Sequence, residues 1–104
     1  MSRFFLDNYS GPYDNVYTEE QQCKDAGKHP GKSLSECMAL CDKTDNCNAI
    51  NYNEDSQECV LKACPEPIPS PNGQEPNYKG YAQISGKALI KHVLSCLIHY
   101  IRQC

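Results

Sequence analysis

Cysteines are the residues of this 104-residue chain whose type and spacing point most directly to chemistry, and there are eight of them. Cys37 and Cys41 lie four residues apart, and Cys47 follows six residues later, beyond a polar stretch. Thiols at such spacings can bind a metal ion, form a redox centre or form disulfide bonds. The rest of the sequence has to distinguish between these three alternatives.

Neither a metal site nor a redox centre fits the spacing. Structural zinc sites usually show cysteines two to four residues apart in tight knuckles, repeated or followed by a histidine pair. Here the first two cysteines lie on a predicted helix, and the histidines have no ligand-like spacing: His29, His92 and His99. A thioredoxin-type centre needs a Cys-x-x-Cys motif, which the sequence lacks. We therefore expect disulfides, no metal and no cofactor.

The composition also favours disulfides. Valine, isoleucine, leucine and phenylalanine make up 18 of the 104 residues, which is below the roughly 20% that marks a self-sufficient core. Disorder normally comes with a high net charge, and this chain sums to -3. Small domains with too little apolar surface are commonly cross-linked in oxidising compartments. We therefore expect a secreted or extracellular domain.

The N-terminus has no apolar run long enough for a signal-peptide core. Three explanations remain: a fragment of a longer secreted protein, a missing first exon, or a chain that is not secreted. The even number of clustered cysteines favours the first two. The tripeptide Asn8-Tyr9-Ser10 fits an N-glycosylation acceptor, which suits a secreted surface segment.

The element that carries Cys37 and Cys41 is predicted to be a helix over residues 34–43. Ser33 and Glu36 have the spacing of a capping box, in which a hydroxyl and a carboxylate cap the first helical turn reciprocally. Both cysteines fall on the apolar face, one turn apart. They cannot easily bond to each other, but both can reach a sheet beneath the helix. Candidate partners flank the hairpin predicted there: Cys47 and Cys59.

Strands are predicted around this helix by alternating patterns over residues 47–53, 58–64 and 77–85. The first two form a hairpin. Residues 65–77 are proline-rich and are predicted to form an extended loop or linker, and residues 27–32 form a second loop. Residues 3–23 fit an edge strand or an ordered loop. Three tyrosines there, Tyr9, Tyr13 and Tyr17, can line a sugar-binding surface, although packing on a small core is the favoured role.

The C-terminal residues 86–104 are predicted to form a basic amphipathic helix that is too short and too charged to span a bilayer. Cys96 and Cys104 lie eight residues apart, about 12 Å along such a helix, and bridged α-carbons lie within about 7 Å. These two cysteines pair with another chain, stay reduced, or belong to a segment that is not native to the module.

Residues 33–61, SLSECMALCDKTDNCNAINYNEDSQECVL, resemble the core of a PAN/apple domain, and a looser similarity extends over residues 23–84. The shared features are a Ser/Thr-x-x-Glu-Cys helix start, a second cysteine one turn later, a third that opens a strand and a fourth followed by an apolar pair. The resemblance implies an α+β fold in which one helix lies across a small, disulfide-stapled antiparallel sheet. The module would cover residues 1–85, followed by the C-terminal amphipathic helix.

The resemblance also implies the disulfide pairs. Cys37 would pair with Cys59, and Cys41 with Cys47. An outer bridge would start at Cys23, with Cys64 favoured over a tail cysteine as its partner.

By resemblance, the function is extracellular, non-catalytic binding or adhesion to a protein or carbohydrate within a larger secreted or surface protein. The residues agree with this, because no Ser/His/Asp arrangement or phosphate-binding loop is evident. We expect no nucleic-acid partner. Three basic residues before the helix can contact an anionic glycan, although a solvated loop is the favoured interpretation: Lys28, His29 and Lys32. The rival hypothesis is a secreted effector or toxin whose residues 87–102 act on membranes, although packing of that stripe is favoured.

Overall fold

A computed structural model of the chain describes residues 8–84. Five strands form one antiparallel sheet in the order β1-β5-β3-β4-β2. The elements are β1 (Tyr9–Tyr13), a 3-10 helix (Glu19–Gln21), β2 (Lys24–His29), α1 (Leu34–Lys43), β3 (Ala49–Asn53), β4 (Glu58–Ala63) and β5 (Tyr78–Gln83). The two edge strands are therefore β1 and β2. In the described residues no helix is long and apolar enough to cross a membrane.

Helix α1 begins with the capping box that the sequence predicts. The Ser33 hydroxyl accepts a hydrogen bond from the Glu36 backbone N–H at 3.2 Å, and the Glu36 carboxylate accepts one from the Ser33 N–H at 2.8 Å. The hydrogen bond from the Ser33 backbone lowers the pKa of Glu36. The predicted helix bounds match the observed ones.

Helix α1 packs across one face of the sheet, which we call the helix face, and two disulfides hold it there. The Cys37–Cys59 disulfide joins α1 to β4, and the Cys41–Cys47 disulfide joins it to the segment that leads into β3. The buried cluster between helix and sheet also contains Tyr9, Met38, Ile50, Tyr52, Leu61 and Tyr81. The Tyr9 hydroxyl, which donates to Asp42 Oδ1 at 2.6 Å, attaches edge strand β1 to α1.

The opposite face of the sheet, the open face, is crossed by residues 14–18, which we call the strap. The Asn51 side chain holds the strap by accepting from the Tyr17 N–H and donating to the Tyr17 carbonyl, both at 2.9 Å. The Tyr17 ring packs in a second small cluster with Cys23, Ala49 and Ala82. Gly80 allows the strap to pass, because a Cβ there would lie 2.7 Å from the Asn15 carbonyl oxygen.

The proline-rich residues 65–77 lie beside the strap instead of forming a free linker. The Cys23–Cys64 disulfide joins the chain after the strap to the start of this loop. Val16 and Gly73 exchange two backbone hydrogen bonds of 2.9 Å. The Gln21 side chain also donates to the Ser70 carbonyl at 2.5 Å. Loop and strap therefore form one layer over the open face.

The α+β fold with one helix on a small antiparallel sheet is confirmed, and one local prediction is wrong. Residues 27–29, predicted as loop, belong to β2, where Lys28 pairs with Val60 and His29 with Cys59. Pairing with β4 outweighs the local composition, and an irregularity between Asp25 and Gly27, where Gly27 has φ +144°, accommodates the glycine. The predicted C-terminal helix, with its two cysteines, lies outside the described residues.

The disulfide pairs are those that the resemblance implies. The three bridges of the described residues leave none of the six cysteines between Cys23 and Cys64 unpaired. The first bridge selects Cys64 as the partner of Cys23.

Replacing Asn51 with alanine tests how the strap is held. We expect Asn51→Ala to lower the free energy of unfolding by about 1–3 kcal/mol, because it leaves the buried N–H and C=O of Tyr17 without partners. Urea denaturation measures the loss, and amide hydrogen exchange at Tyr17 should accelerate. The exposed Asn46→Ala is the matched control. Equal stability of the two variants would contradict the role assigned to Asn51.

Candidate functional site

The strap divides the open face into two depressions. On the β1 side is the Tyr13 groove, of about 400 Å³, formed by Ser10, residues 13–15, Tyr17, residues 68–71, Ala82 and Gln83. On the β2 side is the Lys62 cleft, of about 320 Å³, formed by residues 16–19 and 73–75 with open-face side chains of the strands. The Tyr17 ring belongs to both linings and separates them.

The Tyr13 groove combines aromatic, proline and polar surfaces. Strand β1 carries Ser10 and Tyr13, and the proline-rich loop supplies Pro69 and Pro71 as the facing wall. The Tyr13 side chain remains 37% exposed. The Ser10 hydroxyl donates a long hydrogen bond of 3.4 Å to the Ala82 carbonyl, so its oxygen can still accept one.

Charge at the rim of this groove is balanced. Asp14 and Lys79 form an ion pair of 2.9 Å. The hydrogen bond from Lys79 lowers the pKa of Asp14, and the same bond raises the pKa of Lys79. The rim therefore presents a fixed carboxylate beside an ammonium group.

The Lys62 cleft is more polar, and its centre is an ion pair. The Lys62 ammonium lies 2.6 Å from Asp25 Oδ1, and the lysine side chain is only 5% exposed. The Tyr78 hydroxyl donates to Glu58, and this hydrogen bond raises the pKa of Tyr78. Val60, which is buried, belongs to the apolar part of the lining.

The structure does not bring together the three basic residues that the sequence suggests as an anionic-glycan site. Lys28 lines the Lys62 cleft on the open face. Lys32 lines a shallow depression of about 190 Å³ on the outer surface of α1, beyond the opposite face of the sheet. His29 pairs with Cys59 on the helix face. Adjacent strand residues point to opposite faces, so the closeness of these residues in sequence does not form one patch.

Two other predictions can be placed. Asn8 precedes β1 and is half-buried, and its carbonyl accepts from the Ile84 N–H at 3.0 Å, while glycosylation there stays a prediction. Among residues 8–84, no three histidine, cysteine or carboxylate side chains converge as metal ligands. Sequence reasoning missed Asn51 and Lys62, because polar residues that alternate along a strand normally face solvent.

The geometry defines a class before any comparison is made: a small disulfide-stabilised α+β domain whose surface depressions suit ligand binding. The family model of the PAN domain matches residues 13–84, and the chain therefore belongs to the PAN domain family. PAN domains are non-catalytic, typically extracellular modules that bind proteins or carbohydrates. Searches of curated proteins and of solved structures found no match.

Buried tyrosines give the domain a measurable alkaline limit. Burial raises the pKa of Tyr9 and of Tyr17 to about 12 from an ordinary value of 10.0. The unfolded chain ionises first, so stability is complete below about pH 10 and falls as the pH rises towards about 12.

Tyrosinate absorbance followed against pH should show a late step that Tyr9→Phe and Tyr17→Phe each reduce. In denaturant this step should move to about pH 10, the ordinary tyrosine value. Two variants that titrate like the wild type would show that burial does not hold these hydroxyls neutral.

Proposed function

We infer that this PAN domain is a non-catalytic extracellular module of a larger secreted or surface protein and that it binds a carbohydrate in the Tyr13 groove. The observation that carries this proposal is the partly exposed Tyr13 ring, set opposite a proline wall in a depression of about 400 Å³. The volume is within the range of about 300–1,000 Å³ typical of small-ligand sites.

The chemistry of the groove matches a sugar ring. An aromatic side chain offers a flat apolar face that packs against the C–H face of a sugar, and its hydroxyl remains available for hydrogen bonding. Ser10, Asp14 and Asn15 add a hydroxyl, a carboxylate and an amide around that face. These groups can donate to and accept from the hydroxyls at the edge of the ring.

A protein partner is the second candidate, because the family binds proteins as well as carbohydrates. A stable protein interface buries about 1,200–2,000 Å² over a broad surface. The Tyr13 groove is instead a local concave site in which one aromatic ring and three polar side chains converge. This shape favours the carbohydrate.

The test is binding of the disulfide-bonded protein to a glycan array, followed by calorimetric titration with the best glycan. Tyr13→Ala should weaken binding about tenfold or more, because the stacking surface is lost. Tyr13→Phe keeps the ring and should retain most of the affinity. Lys43→Ala, on the exposed surface of α1, is the control and should bind like the wild type.

Two results would count against the Tyr13 groove. The first is wild-type affinity in Tyr13→Ala, which would place the glycan elsewhere. The second is a folded wild-type protein that binds no glycan on the array but binds a protein through Tyr13, which would favour the second candidate.

A further inference from the structure

We propose that the Lys62 cleft is a second binding site, independent of the Tyr13 groove, and that its ligand is an uncharged, hydroxyl-rich ring such as a neutral sugar unit. The two depressions lie on opposite sides of the strap. A module with both sites can contact two sugar units, or two glycan chains, at once.

The buried ammonium of Lys62 is the first observation. A lysine ammonium has three N–H donors, and among the described residues Asp25 Oδ1 is its one hydrogen-bond acceptor. Burying a cation beside a single carboxylate is costly unless its other donors also find acceptors. Because the side chain is only 5% exposed and lines the cleft, these donors are suited to a ligand oxygen.

The spread of charge around the cleft is the second observation. Two ammonium groups and four carboxylates line it: Lys28, Lys62, Glu19, Asp25, Glu58 and Glu75. The carboxylates would repel an anionic ligand such as a sulfated sugar. Among the described residues no three of them converge to hold a metal ion. Lysine donors and carboxylate acceptors around one small cleft instead suit hydroxyl groups, each of which donates and accepts.

The floor of the cleft supports a ring-shaped ligand. Val60 lies between Lys28 on β2 and Asn51 on β3, with which it pairs on either side. Asn51 itself is saturated, because its amide binds the Tyr17 backbone. A sugar can place a C–H face on Val60 while its hydroxyls reach the charged groups at the edge. The volume of about 320 Å³ fits one such unit.

The test is chemical-shift mapping by NMR on the full disulfide-bonded chain. Glucose, galactose, mannose and N-acetylglucosamine are added one at a time at millimolar concentration, with glucuronate as an anionic comparison. We expect at least one neutral sugar to shift the backbone amides of Asp25, Lys28, Val60 and Lys62 in a saturable way. Glucuronate should bind there more weakly.

Variants assign the shifts to the Lys62 ammonium. Lys62→Met keeps the length of the side chain and removes its charge, and it should weaken binding at the cleft about tenfold or more. Lys43→Met is the matched control on α1, and Tyr13→Ala should leave the affinity of the cleft unchanged. If Lys62→Met does not fold, the wild-type mapping alone still decides the proposal.

The outcomes separate this proposal from the proposed function. Shifts confined to the Tyr13 groove, or no shifts with any neutral sugar, overturn the second site. Shifts at the cleft that only glucuronate produces overturn the uncharged ligand. Shifts at the cleft without shifts at the groove support the Lys62 site, whereas the proposed function then fails.

Discussion

The covalent attachment of α1 to the sheet is the constraint on which the rest of the structure depends. The Cys37–Cys59 and Cys41–Cys47 disulfides are buried in a core that contains few aliphatic side chains. Each such bridge is worth about 2–4 kcal/mol in the chain-entropy model. Because the helix face is fixed in this way, the open face can carry polar groups and depressions instead of a second continuous core.

The strap is attached to the open face by a different kind of interaction. One buried amide, that of Asn51, replaces what a strand neighbour would provide, and the Cys23–Cys64 disulfide fixes the adjacent segments. Loops on a rigid sheet are the usual carriers of binding function, because they can vary while the scaffold remains. Both depressions of this domain are built in that manner, with a floor of strand residues and walls of loop.

The sequence allowed accurate prediction of the elements whose signals are local. The capping box of Ser33 and Glu36 and the spacing of the cysteines defined α1, and alternation located β3 and β4. Strand β2 was missed because its stability comes from pairing with β4 and not from its own composition. The strap and the Lys62 cleft were also missed, because they depend on contacts between Asn51 and Tyr17, 34 residues apart. The tyrosines were recognised as a group, but only the fold separates exposed Tyr13 from buried Tyr9 and Tyr17.

Prolines in the wall of the Tyr13 groove have a thermodynamic consequence. A proline ring fixes φ near −65°, so residues such as Pro69 and Pro71 have few alternative backbone conformations to lose. The loop that carries them is also anchored at Cys64 and Gly73. Binding sites on flexible loops lose conformational entropy when a ligand orders them, which reduces their affinity. In this domain much of that ordering is completed when the chain folds, so even the few contacts of a small ligand can contribute to affinity almost undiminished.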